Sequence, residues 1–245
     1  MNANFTLVTG ASGGFGSAIS AELAKRGWNI ILHYNKSASE AKTLGEAIRS
    51  LGVEAELVSA DLSTREGPDK LSDEVRSMGV RLSGVVNNAG IGRPGNASNI
   101  RDEDWDAVLN VNLRSPVLLV RKLLPVMAKP SSVVNVASVS GIRASLTRIA
   151  YEASKAGLIH ATRSMAVALA PDVRVNAIAP GWVKTNINSE RLSDQNVVNG
   201  IIERTPLKRL GRPEEIAKLT AFLLSDDSSF ITGETFVIVG GVSLT

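Results

Sequence analysis

The chain has 245 residues, of which 44% are apolar, and a formal net charge of +3. This is enough apolar sequence for one large α/β domain with a sizeable core, and the scattered Lys and Arg residues favour a solvated surface over nucleic-acid binding. The absence of cysteine excludes disulfides, thiolate metal ligands and cysteine nucleophiles. With no apolar run of about 18 residues and no signal-peptide pattern, we expect no membrane association, no secretion and a cytoplasmic location.

Short apolar runs of strand length alternate with longer segments of helical period throughout the chain. The predicted strands cover residues 5–8, 29–34, 55–59, 84–87, 133–137, 173–178 and 235–239, and the predicted helices cover 16–26, 38–51, 64–78, 103–128, 149–170 and 213–224. The alternation predicts an α/β fold with a single doubly wound parallel sheet, Rossmann-like, with helices on both faces. No linker or repeat interrupts it, so we expect residues 1–245 to form a single domain.

Ligands of such sheets bind beyond the carboxyl ends of the strands, so functional residues are expected in the turns after the strands. The first turn, residues 9–16, reads TGASGGFG and lies between a predicted strand and a predicted helix. Glycines allow the backbone to approach a pyrophosphate closely, and a helix N-terminus presents N–H groups to an anion. The spacing is TGxxxGxG rather than the familiar GxGxxG. The turn is a candidate dinucleotide site, with a plain glycine-rich turn as the alternative; its candidate residues are Gly10, Ser12, Gly14, Phe15 and Gly16.

The same turn also matches GxSxG, the nucleophile elbow of α/β-hydrolases. A hydrolase would need a histidine late in the chain, but the two histidines are His33, at the end of the second predicted strand, and His160, in the middle of a predicted helix. Both positions favour packing or local hydrogen bonding. Two separated histidines also provide no metal site.

Polar residues follow the third and fourth predicted strands. Asp61, followed by Leu62, comes after the third strand, where its carboxylate is placed to accept a hydrogen bond from an adenine amino group, although a helix-capping role is an equal alternative. Asn88, Ala89 and Gly90 come after the fourth strand and are placed to line a flat ring, with an ordinary turn as the alternative.

The candidate catalytic residues lie in and before the predicted helix 149–170. Tyr151 and Lys155 are four residues apart, so their side chains leave the same helix face. An ammonium beside a phenol favours the phenolate, and we expect Lys155 to lower the pKa of Tyr151 toward a value useful for acid–base catalysis. Ser138 follows the predicted buried strand 133–137, and we expect the carboxyl end of this strand to bring its hydroxyl to the same cleft as Tyr151 and Lys155. Taken alone, YxxxK is weak evidence, because a surface tyrosine beside a solvated lysine has the same spacing.

The order of these motifs resembles that of the short-chain dehydrogenase/reductase family from residue 4 to residue 241, and residues 102–113 and 205–241 are similar to the 3-oxoacyl-(acyl-carrier-protein) reductase branch. The resemblance implies that Tyr151 is the proton donor, that Ser138 binds the substrate carbonyl and that Lys155 binds the nicotinamide ribose. It also implies that Asn112 supports a water relay to Lys155. By the same resemblance, four further residues match the family's segment beside the nicotinamide carboxamide and the pyrophosphate: Pro180, Gly181, Val183 and Thr185.

The end of the second predicted strand bears on cofactor choice. NAD-selective sheets place an acid there to bind the ribose hydroxyls, and such an acid would repel a 2′-phosphate. By the resemblance the corresponding residue is Tyr34, which is followed by Asn35 and Lys36. With no acid and one cation, NADP(H) is favoured over NAD(H).

The resemblance implies a 3-oxoacyl thioester substrate, with acyl carrier protein as a possible partner and a homotetramer as the assembly. The segments around Lys129 and Arg174, where the family carries basic residues against the carrier, are short here, so small ketones, keto esters or other alcohols are alternative substrates. The regions 91–100 and 184–204 are expected to determine specificity. A non-catalytic dinucleotide-binding sensor is the distant alternative, since such a protein would be expected to lose the Tyr, Lys or Ser.

Overall fold

The computed structural model describes residues 4–144, 147–185, 189 and 191–242, and its central element is one parallel sheet of seven strands. The strand order is β3-β2-β1-β4-β5-β6-β7. All neighbouring pairs are parallel. This confirms the predicted doubly wound sheet. The strands are β1 Asn4–Val8, β2 Asn29–Tyr34, β3 Ala55–Ser59, β4 Arg81–Asn87, β5 Met127–Val136, β6 Val173–Pro180 and β7 Thr235–Ile238.

Helices cover both faces of the sheet and bury two apolar clusters. The helices are α1 Gly14–Lys25, α2 Ala38–Arg49, α3 Gly67–Ser77, α4 Asp102–Leu109, α5 Ser115–Leu123, α6 Ile149–Leu169, α7 Gln195–Arg204 and α8 Pro213–Leu224. One cluster contains Ile19 of α1 and Ile216 of α8, and the other contains Leu71 of α3 and Leu119 of α5. The inner strands β1, β2, β4, β5 and β6 are buried over most of their length, which explains why they read as continuous apolar runs in the sequence, whereas the edge strands β3 and β7 are partly exposed.

The single helix predicted over 103–128 is wrong. Here α4 passes into one π-helical segment, Asn110–Arg114, then into α5, and a 3-10 turn over Leu124–Val126 leads directly into β5 at Met127. Pro125 lies in that turn, where its missing N–H cannot continue the helical hydrogen-bond ladder. Since the apolar pattern runs on without a polar break from α5 into β5, periodicity alone does not locate the boundary.

Other boundaries also differ from the prediction. Helix α3 begins at Gly67 rather than at residue 64, with Pro68 in its first turn, where a proline is well accommodated. Helix α7 was not predicted at all, although Asp194 accepts a hydrogen bond of 2.8 Å from the Asn196 N–H at its start. Strands β4 and β5 begin earlier than expected. Among the described residues, no helix combines the length and apolar character needed to cross a membrane.

Candidate active site

The order of the strands reverses between β1 and β4, so a crevice opens beyond their carboxyl ends. A cavity of about 390 Å³ lies at this edge, between the glycine-rich turn after β1 and the helix α6. Tyr151 and Lys155 line it on one side, and Asp61 lines it on the other. The cavity therefore joins the turns and the helix that the sequence marked as chemically important.

The glycine-rich turn is formed by close backbone contacts. Gly10 has a φ of +63°, a conformation that favours glycine. A Cβ on Gly16 would lie 2.2 Å from the Gly10 carbonyl oxygen, so only glycine fits there. The side-chain amide of Asn88 donates to the carbonyl oxygens of Thr9 at 2.9 Å and Gly10 at 3.1 Å. The turn after β4 thus holds the turn after β1 in position.

Helix α1 starts directly from this turn. Its N-cap residue is Gly13, which has no side chain to bond the first N–H groups, and its first turn carries no acidic residue. Unbonded N–H groups and the positive end of the helix dipole form a favourable site for a pyrophosphate. The backbone geometry therefore fits the phosphate-binding role expected from the glycine pattern.

Lys155 is buried under the cavity floor. Its ammonium donates a hydrogen bond of 2.7 Å to the carbonyl oxygen of Val136 and lies 5.7 Å from the centroid of the Tyr151 ring. Burial lowers the pKa of Lys155 from 10.5 to about 8. A hydrogen bond from the Ser138 side chain lowers the pKa of Tyr151, but burial has the larger effect and raises it above its usual value. The expected lowering by Lys155 is not observed, and Tyr151 is held in the phenol form, ready to donate a proton.

Asn112 lies in the π-helical segment and is fully buried. Its Oδ1 accepts from the Ile91 N–H at 2.9 Å, and its Nδ2 donates to the Ile91 carbonyl oxygen at 2.9 Å and to Ser154 Oγ at 3.0 Å. Ser154 precedes Lys155 on α6. Asn112 therefore joins the loop after β4 to the helix that carries Tyr151 and Lys155. Gly90 in that loop lies close to both groups, since an added Cβ would be within 3.5 Å of Asn112 Oδ1 and of Lys155 Nζ.

Asp61 forms local hydrogen bonds at the other end of the cavity. Its carboxylate accepts from the Ser63 N–H at 2.9 Å and from Ser63 Oγ at 2.7 Å. These bonds, with smaller contributions from Asn35 and Lys36, lower the pKa of Asp61 and keep it ionised. The carboxylate does not cap α3, whose N-cap is Glu66.

The structure brings most of the predicted site residues to one cavity. Those that line it are Gly10, Ser12, Gly14, Phe15, Asn35, Lys36, Asp61, Leu62, Asn88, Ala89, Gly90, Tyr151, Lys155 and Thr185. The remaining predicted residues do not line this cavity, and Val183 lines a neighbouring one; they are Gly16, Asn112, Ser138, Pro180, Gly181 and Val183. Pro180 ends β6, and the Gly181 N–H donates to the Ile238 carbonyl oxygen at 3.0 Å. Further along the same segment, Thr185 lies against Gly14, where an added Cβ would be 3.2 Å from its methyl group. Part of the expected specificity region 184–204 lies outside the described residues.

His33 also lines the cavity, a position that sequence reasoning did not give it. Both of its ring nitrogens are in hydrogen bonds with the backbone, to Gly10 N and to Ala60 O. It is therefore not available as a base for Ser12, and the hydrolase alternative finds no support. Within the described ranges, no group of three or more His, Cys, Asp or Glu residues could hold a metal ion.

Comparisons with known proteins agree with this geometry. A family model described as Enoyl-(Acyl carrier protein) reductase, of the adh_short_C2 group, matches residues 10–243. The uncharacterized oxidoreductase YmfI of Bacillus subtilis is 37% identical over 239 residues, covering 96% of this chain and 97% of that protein. The 3-oxoacyl-[acyl-carrier-protein] reductase FabG of Aggregatibacter actinomycetemcomitans is 36% identical over 242 residues, covering 96% and 98%.

Solved structures show the same relationship. The RhlG/NADP active-site complex of Pseudomonas aeruginosa superposes with a TM-score of 0.90 at 28% identity, covering 99% of this chain and 97% of that one. Dinucleotide oxidoreductases with a Rossmann-like sheet are thus the class to which this fold and cavity correspond. Within that class, the chain belongs to the short-chain dehydrogenase/reductase family, whose members bind a nicotinamide dinucleotide.

Proposed function

We propose that the protein is an NADP(H)-dependent reductase that converts a carbonyl group to a secondary alcohol, with a 3-oxoacyl thioester as its substrate class. The observation that carries this proposal is the geometry around Tyr151. Tyr151 and Lys155 both line the cavity, the Lys155 ammonium lies 5.7 Å from the centroid of the Tyr151 ring, and the Ser138 side chain is hydrogen-bonded to Tyr151. The 36% identity to a 3-oxoacyl-[acyl-carrier-protein] reductase supports the substrate class.

The bound dinucleotide would supply a hydride to the carbonyl carbon. Tyr151 then donates its proton to the carbonyl oxygen as negative charge develops there, so the alcohol gains its C–H hydrogen from the dinucleotide and its O–H hydrogen from Tyr151. The raised pKa of Tyr151 suits this direction, because the hydroxyl keeps its proton until the oxygen becomes strongly basic. Ser138 holds the carbonyl oxygen within reach of that proton.

Lys155 and Asn112 would organise the cofactor end of the site. Lys155 keeps its ammonium at the cavity floor through the bond to Val136, where it is placed to bind the ribose of the nicotinamide half. Asn112 fixes Ile91 and Ser154 around it. We infer that a proton reaches Tyr151 from solvent along this line of polar groups.

The residues after β2 support the choice of NADP(H). The exposed side chains of Asn35 and Lys36 line the outer end of the cavity, and no acidic residue stands at the end of β2 to repel a 2′-phosphate. The NADP complex of RhlG, a structural relative, is consistent with this choice.

Two cations bear on the docking of a carrier protein. Lys129 forms an ion pair of 2.5 Å with Asp172, and the Arg174 guanidinium donates to the carbonyl oxygens of Ser225 and Ile231. The two cations that the sequence offered to an acidic carrier are therefore engaged within the chain. This favours a second candidate function, the reduction of free ketones or keto esters without a carrier protein.

A homotetramer and a cytoplasmic location remain proposals by analogy with the family. The small residues of α6 lie in two environments. Gly157 packs against Leu113 within the chain, whereas Ala156 and Ala168 are exposed, as is Val167, which is 84% exposed. This exposed side of α6 is the surface we assign to subunit contacts.

The proposal is tested by following NADPH oxidation with acetoacetyl thioesters of coenzyme A and of acyl carrier protein, beside a panel of simple ketones and keto esters. NADH serves as the parallel cofactor. Efficient turnover of the thioesters with NADPH would support the first candidate, and activity on simple carbonyls alone would support the second. Tight dinucleotide binding without turnover of any carbonyl would instead revive the sensor alternative.

A further inference from the structure

His33 is a buried residue of β2 whose ring connects two turns of the cavity. The side chain is 2% exposed. Its Nδ1 lies 3.1 Å from the Gly10 nitrogen, and its Nε2 lies 3.0 Å from the Ala60 carbonyl oxygen. A carbonyl oxygen can only accept, so Nε2 carries the proton and donates to Ala60. Nδ1 is then the lone-pair nitrogen and accepts from the Gly10 N–H.

These two contacts join elements that serve different parts of a dinucleotide. Gly10 begins the glycine-rich turn, while Ala60 directly precedes Asp61, the residue expected to bind the adenine. The Gly10 peptide is held on both sides, since its N–H donates to His33 and its carbonyl oxygen accepts from Asn88. The His33 backbone adds a third link, because its carbonyl oxygen accepts from the Ala11 N–H at 2.8 Å.

The charges around the ring favour this arrangement at neutral pH. Burial lowers the pKa of His33 to about 4, although the bond to Ala60 and the Asp61 carboxylate oppose the shift. Residues 9–21, which form the turn and the start of α1, contain no ionisable side chain, and Lys36 and Glu40 on the side of α2 are exposed. The ring is therefore neutral, and its acceptor nitrogen is available to Gly10.

We propose that His33 is a positioning residue that fixes the glycine-rich turn and the Asp61 turn at the spacing required by the adenosine-pyrophosphate half of the cofactor. The inference rests on the proposed dinucleotide-dependent function. It predicts that a change at His33 weakens binding of that half and leaves the nicotinamide half, which lies against Tyr151 and Lys155, unaffected.

Two substitutions separate the two hydrogen bonds. In His33→Asn, Oδ1 stands at the same number of bonds from the backbone as Nδ1 and can accept from Gly10, while the contact to Ala60 is lost. In His33→Gln, the side-chain NH₂ can reach Ala60, while the Gly10 N–H is left buried without a partner. Each substitution breaks one of the two bonds that link the turns, so we expect both to weaken binding. The loss should be about 10- to 100-fold in His33→Gln, which leaves the partly buried Gly10 donor unpaired, and about 3- to 10-fold in His33→Asn, which loses only the contact to Ala60. His160→Gln, at the exposed second histidine on α6, is the matched control.

Calorimetric titration of each variant with 2′-phospho-ADP-ribose and with reduced nicotinamide mononucleotide tests the idea without turnover. The expected result is weaker binding of 2′-phospho-ADP-ribose in both His33 variants, with the larger loss in His33→Gln, a raised KM for NADPH and an unchanged kcat, while His160→Gln binds as the wild type does. Nitrogen NMR should show the Nε2–H tautomer for His33 and a neutral ring at pH 5.5, since its pKa is lowered to about 4. With only two histidines in the chain, both signals can be assigned by substitution.

The outcomes distinguish this inference from the proposed function. If the wild type binds no dinucleotide and neither fragment, the proposed function and the inference both fail. If the wild type binds and His33→Gln binds 2′-phospho-ADP-ribose equally well, only the inference fails. A lower melting temperature and a lower kcat in His33→Gln, without a change in fragment affinity, would reduce His33 to a structural residue and also overturn it.

Discussion

The Lys155 ammonium, on helix α6, donates a hydrogen bond of 2.7 Å to the carbonyl oxygen of Val136, the last residue of β5. Ser138 follows Val136 by two residues, and Tyr151 stands one helical turn before Lys155. The bond therefore ties the end of β5, which leads to the carbonyl-binding Ser138, to the start of α6, which carries the proposed acid Tyr151. A charged group buried in this way costs stability, which is expected where function requires it.

Replacing Lys155 should change how stability depends on pH. Burial lowers the pKa of Lys155 from 10.5 in the unfolded chain to about 8 in the folded one. Between these two pH values the unfolded chain binds more protons than the folded one, so the free energy of unfolding increases with pH. Below about pH 8 Lys155 is charged in both states, and its destabilising effect is then at its full size. We expect Lys155→Met to remove this increase, as measured by denaturant unfolding at several pH values.

The exposed Lys25 on α1 provides the control, because Lys25→Met leaves the buried ammonium in place. Its stability profile should follow that of the wild type. Parallel profiles for Lys155→Met and the wild type between pH 8 and 10.5 would show that the buried amine is not the group whose pKa is lowered.

Ser138→Ala should weaken catalysis and raise the pKa of Tyr151 further. The Ser138 hydrogen bond is the principal influence that lowers this pKa, so without it the raising effect of burial is opposed less and the pKa increases. We expect kcat to fall about 10²- to 10³-fold, the usual loss when one hydrogen bond to a reacting oxygen is removed. The phenol can be titrated by ultraviolet absorbance in a Tyr34→Phe background, because the chain has only two tyrosines. Ser140→Ala, which keeps the backbone N–H that bonds Ser138 Oγ, should leave both quantities unchanged.

Gly16→Ala should disrupt the glycine-rich turn. The added methyl group would lie 2.2 Å from the Gly10 carbonyl oxygen, a distance that the backbone must move to relieve. We expect a loss of about 1–3 kcal/mol in the free energy of unfolding together with weak dinucleotide binding. In Gly200→Ala the methyl group on α7 meets nothing within 4 Å, so this control should keep both properties and gain stability from helix propensity. Equal behaviour of the two variants would contradict the structure of the turn.

Lys36→Ala tests cofactor choice. Lys36 is exposed at the outer end of the cavity, where we place the 2′-phosphate. Loss of a charge-assisted hydrogen bond should weaken NADPH binding roughly 10- to 100-fold while leaving NADH binding unchanged. Fluorescence titration of both cofactors gives the ratio, with the exposed Lys42→Ala on α2 as control. A similar loss for NADH would show that Lys36 does not recognise the phosphate.

The sequence predicts the sheet well because parallel strands buried on both sides leave uninterrupted apolar runs. The turns after these strands were also predictable, since Gly10 and Asn88 follow them directly and the strand order brings them together. The boundary between α5 and β5 was not predictable from pattern, because the apolar sequence continues across it through Pro125.

What the sequence missed depends on contacts between distant residues. The neutral, bridging ring of His33 requires the registers of β1, β2 and β3 to place Gly10 and Ala60 on either side of it. The raised pKa of Tyr151 requires knowledge of its burial, which the spacing to Lys155 does not provide. The Lys129–Asp172 ion pair likewise becomes visible only when the starts of β5 and β6 lie side by side.

The most direct test of the account is the turnover of Tyr151→Phe, measured as NADPH oxidation beside calorimetric NADPH binding. Phe retains the ring and loses the hydroxyl that is to donate the proton. We predict that the variant binds NADPH as the wild type does and loses about 10²- to 10⁴-fold in kcat, the usual contribution of a positioned proton donor. Wild-type turnover in Tyr151→Phe would contradict the assignment of Tyr151 as the acid.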